Sequence, residues 1–413
     1  MVEERLDRQL RIAGWNQKAL TRAKIGVVGD GDLLASLFIM SASTLGINNL
    51  IVVAPMLDTF LIETAKKVNP RVNLTCIEGF YTHPIMNGLF NDCNLIVDLS
   101  SYGLANKLSL EKGFRENIPI IRGFSYENAD EQGFKVFTYT KGREWDQLNS
   151  VISPHSMPKN HFDDGVLNIM TAGLVLEETK NLLMDRQVSE AIISYMRKRL
   201  TAIESDQGIL VVGAGALGIF VGLGLAYSQF QHLTFMDPDV VDVTNLNRQV
   251  LFHDAIGKSK AETLSQRLNR FPGITANAVV DYFDNDTDIS PYSVVFDCVD
   301  NFETRIALSE KCMAEEKVLI SGGTNPEAGQ AVLFDPEKNG ETPAELLGLY
   351  EIVESREIDT KRSERTACTY HPDPSVIMAN QIIAGAMVDA YRILLGGNDP
   401  DNIFYDSTSD TRI

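Results

Sequence analysis

Short apolar runs alternate along the chain with stretches of helical length, and this pattern predicts an α/β fold. The clearest unit begins with the apolar strand Ile209–Val212, turns on glycines over 213–218, enters a small-residue helix and reaches a second strand ending at Asp237. The apolar run 209–227 is long enough to raise the question of a membrane span. Its glycines lie where a strand–turn–helix unit needs them, so we predict a βαβ unit and no membrane partner.

The first half of the chain repeats this pattern. Residues 25–28 form a candidate strand, 29–34 a candidate turn and 50–53 a second strand. A helix predicted over 164–183 likewise corresponds to one over 375–395. A repeat of this length predicts two Rossmann-like domains with mostly parallel sheets flanked by helices, and not a solenoid. We place the boundary in the polar stretch that follows a Lys/Arg-rich helix end, which gives domains 1–203 and 204–413.

The first copy lacks features that bind a nucleotide. Leu34 replaces the third glycine of the turn, and Ala54 stands where the second copy has Asp237. Asp30 and Asp32 line the turn, where their charge would repel a phosphate. We therefore predict that only the second half binds a nucleotide.

The glycine turn of the second half is a candidate phosphate site. Gly213 allows the tight turn, Gly215 lets the backbone approach a phosphate, and Gly218 lets the helix pack closely on the strand. Asp237 lies at the end of the second strand, where an acidic side chain meets a ribose hydroxyl. These four residues alone predict an NAD-linked dehydrogenase at least as well as an ATP-binding enzyme.

Two positively charged side chains that follow, Arg248 and Lys260, favour ATP over NAD as the ligand. The pyrophosphate of NAD, already bound by the glycine turn, does not need them, whereas a triphosphate that must lose pyrophosphate does. Asp300 follows an apolar strand, at the carboxyl edge of the predicted sheet. It can be interpreted as a Mg²⁺ ligand or as the N-cap of the next helix.

Composition narrows the class of protein. The 413 residues are 44% hydrophobic and 23% charged, which fits two or three folded domains. The net charge of −19 argues against a nucleic-acid partner. None of the five cysteines forms a CxxC pair, so neither zinc-ribbon spacing nor a disulfide framework is indicated. The charged, acidic N-terminus does not read as a signal peptide, and we expect a cytoplasmic enzyme.

Cys368 lies in a charged, loop-like segment over about 338–374 and is flanked by polar residues and prolines. This setting allows an exposed nucleophile whose pKa Arg365 or His371 would lower, and a structural thiol is the alternative. Cys298, in contrast, lies beside an apolar strand and is predicted to be a buried core thiol.

Taken together, these motifs resemble the ubiquitin-activating enzyme family and its relatives that adenylate sulfur-carrier proteins for thiamine and molybdopterin. The resemblance covers nearly the whole chain and rests on the glycine turn, Asp237, the segment Asn245–Gln249, Lys260 and the segment Asp297–Asn301. It implies an active adenylation domain fused to an inactive copy, a tandem pseudo-dimer within one monomer.

The resemblance also implies roles for matching residues. Asp237 would hold the ATP ribose, Arg248 and Lys260 the phosphates, and Asp300 Mg²⁺, while Asn245 matches a family asparagine at the site. The spacing from Arg248 to Lys260 is one residue shorter than is usual in the family, which leaves Lys258 as an alternative lysine.

The N-terminal segment Arg5–Gln9 resembles a family motif whose second arginine reaches into the partner's site. Arg8 would therefore cross from the inactive half into the active site and stabilise charge on the leaving pyrophosphate. The segment that carries Cys368 resembles the thioester-forming segment of ubiquitin-type activators.

The function that the resemblance implies is ATP-dependent adenylation of a ubiquitin-like protein at its C-terminal glycine. A thioester on Cys368 and transfer to a conjugating enzyme would follow. A sulfur-carrier adenylyltransferase, or a peptide- or tRNA-modifying adenylating enzyme, would share the adenylation site without the thioester. The ubiquitin-type activator is favoured over these two by the missing zinc-binding cysteine pairs and by the fused inactive half. An NAD-linked dehydrogenase is the alternative from another class of enzyme.

Overall fold

The computed structural model describes residues 2–143, 145–158, 162–200, 207–338, 340–355 and 373–413. Each half of the chain contributes one seven-stranded sheet. The strands of the first half are β1 (Lys24–Val28), β2 (Asn49–Ala54), β3 (Asn73–Glu78), β4 (Leu95–Asp98), β5 (Ile120–Glu127), β6 (Glu131–Tyr139) and β7 (Ile193–Lys198). Those of the second half are β8 (Gly208–Val212), β9 (His232–Met236), β10 (Thr275–Val279), β11 (Tyr292–Asp297), β12 (Val318–Thr324), β13 (Ala328–Phe334) and β14 (Ile403–Asp406).

Helices connect and cover the strands. Those of the first half are α1 (Val2–Arg5), α2 (Asp7–Leu10), α3 (Gln17–Arg22), α4 (Asp32–Leu45), α5 (Thr59–Val68), α6 (Gly103–Glu116), α7 (Trp145–Asn149) and α8 (Gly165–Leu183). Those of the second half are α9 (Ala216–Tyr227), α10 (Lys260–Leu268), α11 (Phe302–Ala314), α12 (Pro343–Leu346), α13 (349–355) and α14 (Ile377–Leu395).

The two sheets have the same topology. Their strand orders are β3-β2-β1-β4-β5-β6-β7 and β10-β9-β8-β11-β12-β13-β14. In each sheet the first five strands of this order are parallel to one another, and each of the last two is antiparallel to the strand before it. This confirms the predicted α/β class and the internal duplication. The predicted boundary falls among residues 201–206, outside the described residues, and stays a prediction.

Helices α8 and α14 pack against each other and join the two halves. Both are buried along nearly their whole length, because most of their residues are apolar and their buried charges are paired. A Cβ on Gly173 would lie 2.8 Å from Ile382, and one on Gly385 would lie 2.3 Å from Met170, so glycines permit the close approach. The largest buried apolar cluster consequently contains residues of both halves.

Buried ion pairs add to this interface. Arg392 and Arg197, from opposite halves, both contact Asp164, and Arg197 also pairs with Asp389 at 2.9 Å. Near the end of the sequence Arg412 pairs with Glu178 at 2.8 Å, and both side chains are almost completely buried. The two halves are therefore held together by apolar packing and by buried ion pairs that cross between them.

One sequence expectation differs from the structure. The Lys/Arg-rich stretch before the boundary is strand β7 and not a helix end, because it alternates inward and outward residues and pairs with β6. The N-terminal segment forms two single helical turns, α1 and α2, separated at Leu6. The run 209–227 is the predicted strand, turn and helix, β8 to α9. Within the described ranges, no helix has both the length and the apolar character needed to cross a membrane.

Candidate active site

The glycine turn lies between β8 and α9, at the carboxyl edge of the second sheet. Gly213 has a φ of 97°, and a Cβ on Gly218 would lie 2.0 Å from the Gly213 carbonyl oxygen, so the turn and the close helix require both glycines. Gly215 caps α9, and among the described residues a Cβ there would meet only the Gln249 amide, at 3.7 Å. Within that part of the chain, the N-terminus of this 12-residue helix is thus open on the Gly215 side, as a phosphate site requires.

Asp237 follows β9 and braces this turn. Its Oδ2 accepts a hydrogen bond of 2.7 Å from the Ala214 amide, and its Oδ1 accepts one of 2.8 Å from the Asp239 amide. Burial raises the pKa of Asp237, and the charge of Lys260 opposes that rise. The carboxylate thus fixes the strand end relative to the glycine turn.

The loop from Asp239 to Lys260 folds over the same edge. Asp242 and Asn245 form a reciprocal cap: the Asn245 Oδ1 accepts from the Asp242 amide at 2.9 Å, and the Asp242 side chain accepts from the Thr244 amide. Asn245 is 7% exposed, so the motif asparagine supports the loop from inside.

The two candidate lysines differ in their surroundings. Lys260 begins α10, is buried, and donates from Nζ to Asp239 Oδ2 at 2.7 Å. Lys258 is exposed. Hydrogen bonds from Thr244 hold the pKa of Asp242 below its ordinary value, and the charges of Arg8 and Lys260 lower it further. This geometry favours Lys260 over Lys258 as the lysine of the site.

Arg8 of the first half lies near enough to Arg248 of the second for its charge to act on that side chain. Helix α2 packs against the short 3₁₀ helix Val243–Asn245, which brings the N-terminal arm to the loop. Arg8 donates from Nη1 to the Asp373 carbonyl at 3.1 Å, and its buried Nε has no hydrogen-bond partner among the described residues. The pKa of Arg248 is lowered to about 10, first by burial and then by the charge of Arg8, while the charge of Asp300 opposes the shift.

Asp300 is an exposed carboxylate just beyond β11. The N-cap of α11 is the next residue, Asn301, whose side chain accepts from the Thr304 amide at 2.8 Å. The N-cap interpretation of Asp300 is therefore wrong, and its carboxylate is free of that role. In the described part of the chain, no cluster of three or more His, Cys, Asp or Glu side chains could hold a metal ion by itself.

The corresponding turn of the first half is closed by its own side chains. The Asp30 carboxylate accepts from the Ser101 amide at 2.8 Å and also from the Ser101 hydroxyl. Ala54 provides no carboxylate at the end of β2, and Leu34 lies in α4 where α9 has Gly218. A negative charge thus lies at the place where the second half offers backbone amides.

The cysteines separate into two groups. Cys368 and its neighbours Arg365 and His371 lie outside the described residues, so the structure says nothing about the predicted nucleophile. Cys298 is buried, and burial raises its pKa well above the ordinary value, which confirms the predicted core thiol.

Sequence reasoning missed three residues that organise this site: Gln9, Asp239 and Asn247. Asp239 pairs with Lys260, and Asn247 is fully buried between the arm and the loop. Asn247 lies inside the Asn245–Gln249 motif, so its position was a usable signal. No feature of the sequence singled out Asp239, because an acidic residue in a loop is normally exposed to solvent.

Comparison with known proteins identifies the class. The sequence profile of the ThiF family matches residues 185–410, which is more than half of the chain, and the protein belongs to the ThiF family. This confirms the predicted superfamily.

Among curated relatives, a molybdopterin-synthase adenylyltransferase of Salmonella typhimurium is 37% identical over 139 residues, or 32% of this chain and 56% of that protein. An adenylyltransferase and sulfurtransferase MOCS3 of Culex quinquefasciatus is 33% identical over 194 residues, or 46% of this chain and 42% of that protein. The chain spans about half the length of the curated relatives it matches. The crystal structure of E. coli MccB with ATP is 19% identical with a TM-score of 0.41, over 49% of this chain and 61% of that one.

Proposed function

We propose that the second half is an ATP-dependent adenylyltransferase that activates the C-terminal carboxylate of a small protein. The observation that carries this is the meeting of an open glycine turn with Arg248, Lys260 and the first half's Arg8 at one sheet edge. The protein has a net charge of −19, yet these three positively charged side chains lie at the same edge of the sheet. A dinucleotide held by the turn has no use for them, whereas a triphosphate that loses pyrophosphate does.

The proposed reaction begins with attack of the substrate carboxylate on the α-phosphate of ATP. The bond to the β-phosphate breaks, and pyrophosphate leaves with its negative charge balanced by Arg8, Arg248 and Lys260. Catalysis of this step consists of positioning and charge stabilisation. The Asp237 carboxylate, at the strand end, would accept a hydrogen bond from the ribose.

Asp300 would hold Mg²⁺. An exposed carboxylate whose charge acts on Arg248 suits this hard cation, which takes one or two carboxylates together with phosphate oxygens and needs no cluster of protein ligands. The ion would neutralise phosphate charge.

The substrate class that we propose is a ubiquitin-like protein ending in glycine. In a second step the thiolate of Cys368 would attack the acyl-adenylate, forming a thioester and releasing AMP, and a conjugating enzyme would take the acyl group. The fused inactive half supports this reading. The names of the relatives, which are adenylyltransferases for molybdopterin synthase, favour a second candidate, adenylation without a thioester.

One experiment tests both readings. The protein is mixed with Mg-ATP and ubiquitin-like proteins ending in glycine, and ATP–pyrophosphate exchange and intact mass are measured. We expect Asp300→Ala to abolish exchange, with Asp286→Ala, an exposed acid away from the site, as the control. ATP–pyrophosphate exchange at the full rate in Asp300→Ala would refute the assignment of Asp300 to the active site.

The thioester is tested by Cys368→Ala beside Cys76→Ala, an exposed cysteine on β3. We expect a thiol-sensitive adduct that Cys368→Ala loses while exchange persists. Exchange without any adduct in the unaltered protein would favour the sulfur-carrier or peptide-adenylating reading, and Cys368 would be a structural thiol.

A further inference from the structure

Asn247 uses both ends of its side-chain amide to join three segments. It is 0% exposed. Its Nδ2 donates to the Ser375 carbonyl at 2.8 Å and, at 3.4 Å, to the Gln9 Oε1 of the first half. Its Oδ1 accepts from the Nη1 of Arg248 at 2.8 Å. One side chain thus connects the N-terminal arm, the site loop and the chain that enters α14.

Neighbouring contacts link the same segments. Arg8 donates to the Asp373 carbonyl, and the Ser375 amide donates to the Arg8 carbonyl at 3.4 Å. Gln9 is itself anchored in the first half, because its Nε2 donates to the Leu45 carbonyl at 2.9 Å. A displacement of Asn247 would therefore move both the arm and the loop.

The two arginines need such a support. Arg8 and Arg248 repel each other, and each has a long side chain with many rotamers. A carboxylate at position 247 would hold Arg248 but would also neutralise it. An amide oxygen accepts the same hydrogen bond and leaves the positive charge available to an anion. The uncharged side chain thus fits a site that must keep two like charges close together.

We propose that Asn247 is a positioning residue: it orients Arg248 and ties it to the arm that carries Arg8, so that arginines from both halves face one anionic ligand. The naming of that ligand as the ATP triphosphate rests on the proposed function. The positioning itself rests on the contacts above.

The test compares Asn247→Leu and Asn247→Asp with a matched control, Asn69→Leu. Asn69 is also buried and also donates from Nδ2, to the Ser43 carbonyl and to Asn48, but it lies in the first half among structural contacts. Asn247→Asp is nearly isosteric, keeps the acceptor for Arg248 and loses the donors, so it serves if Asn247→Leu does not fold. Amide hydrogen exchange over 2–12 and 373–380, ATP binding by calorimetry and ATP–pyrophosphate exchange are measured for each.

We expect faster amide exchange of both segments in the two Asn247 variants and not in Asn69→Leu. We expect kcat to fall about tenfold or more in Asn247→Leu, as for loss of a group that orients transition-state charge. In Asn247→Asp we expect KM for ATP to rise, because the added carboxylate neutralises Arg248. On an Arg248→Ala background, Asn247→Leu should lower kcat by a smaller factor than it does alone, because only the arm that carries Arg8 is left for Asn247 to hold.

The outcomes separate the two proposals. Unchanged amide exchange in both Asn247 variants, or a full additional loss on the Arg248→Ala background, would overturn the positioning role. Absence of ATP binding by the unaltered protein would instead overturn the proposed function, and the amide-exchange comparison would still decide whether Asn247 holds the arm.

Discussion

Arg8 of the first half and Arg248 of the second carry the same charge and share one site, where the charge of Arg8 helps to lower the pKa of Arg248. Two like charges stay near each other only when packing and hydrogen bonds offset their repulsion, as the packing of helix α2 and the hydrogen bond to the Asp373 carbonyl do here. Such a pair has an excess of positive charge that an anion would balance. The first half therefore contributes a side chain to the candidate site of the second half.

Replacing Arg8 should lower turnover more than it lowers stability. We expect Arg8→Ala to slow ATP–pyrophosphate exchange about tenfold or more, because arginines that stabilise a leaving phosphate contribute about 10³–10⁵ in comparable enzymes and Arg248 and Lys260 would remain. The control is Arg11→Ala, on the same arm, where Arg11 pairs with Asp7 at 2.8 Å. Unchanged kinetics in Arg8→Ala would mean that the arm is structural.

Replacing Asp237 should weaken ATP binding. Asp237→Ala gives the second half the residue that the first half has at Ala54, and it removes two hydrogen bonds that brace the turn. A hydrogen bond to a charged group contributes about 1.5–3 kcal/mol, so we expect the dissociation constant for ATP to rise roughly tenfold or more. Calorimetry measures it, with Asp286→Ala as the control. An affinity equal to that of the unaltered protein would contradict the ribose assignment.

His253 should make stability depend on pH. Burial lowers its pKa first, Arg267 and Lys67 lower it further, and Asp254 opposes them. Below a pH of about 6.5, the ordinary histidine pKa, the unfolded chain binds a proton that the folded protein disfavours. Proton binding by the unfolded chain therefore destabilises the folded protein progressively as the pH falls from about 6.5 to the lowered pKa of His253. Above a pH of about 6.5 the destabilisation is absent.

We therefore expect His253→Gln to lose less stability than the unaltered protein between about pH 7 and pH 5, in urea unfolding. His232→Gln, at an exposed histidine at the start of β9, is the control for losing one imidazole. Parallel pH curves for His253→Gln and the unaltered protein would refute the effect.

Arg412 should be essential to the stability of the joined halves. Its guanidinium donates twice to Glu178 Oε1, at 3.1 and 2.8 Å. Removing one partner of a buried pair costs about 3–5 kcal/mol, because the other charge stays buried. Arg412→Ala should lower the free energy of unfolding by about that amount, whereas Arg115→Ala, which breaks an exposed pair with Glu111, should cost about 0–1 kcal/mol. Equal losses in the two variants would show that the pair does not join the halves.

The local structure of the glycine turn could be predicted, because it depends on residues that are close together in the sequence. Gly213 and Gly218 are required by backbone geometry and by a close helix, and both requirements are visible in a six-residue pattern. The duplication was visible because the two copies repeat the same order of strands and helices. Strand β7 was not predicted, because its alternating pattern is short and rich in Lys and Arg.

The sequence by itself determined the fold class, the two copies and the family, because each of these rests on local patterns of residues. The loss of the first nucleotide site stays a prediction. Only the tertiary structure decided which residues meet. Gln9 and Asn247, 238 residues apart, come together because α8 and α14 pack the halves face to face. It also decided that Asn301, and not Asp300, caps α11, since a cap depends on the direction of one side chain.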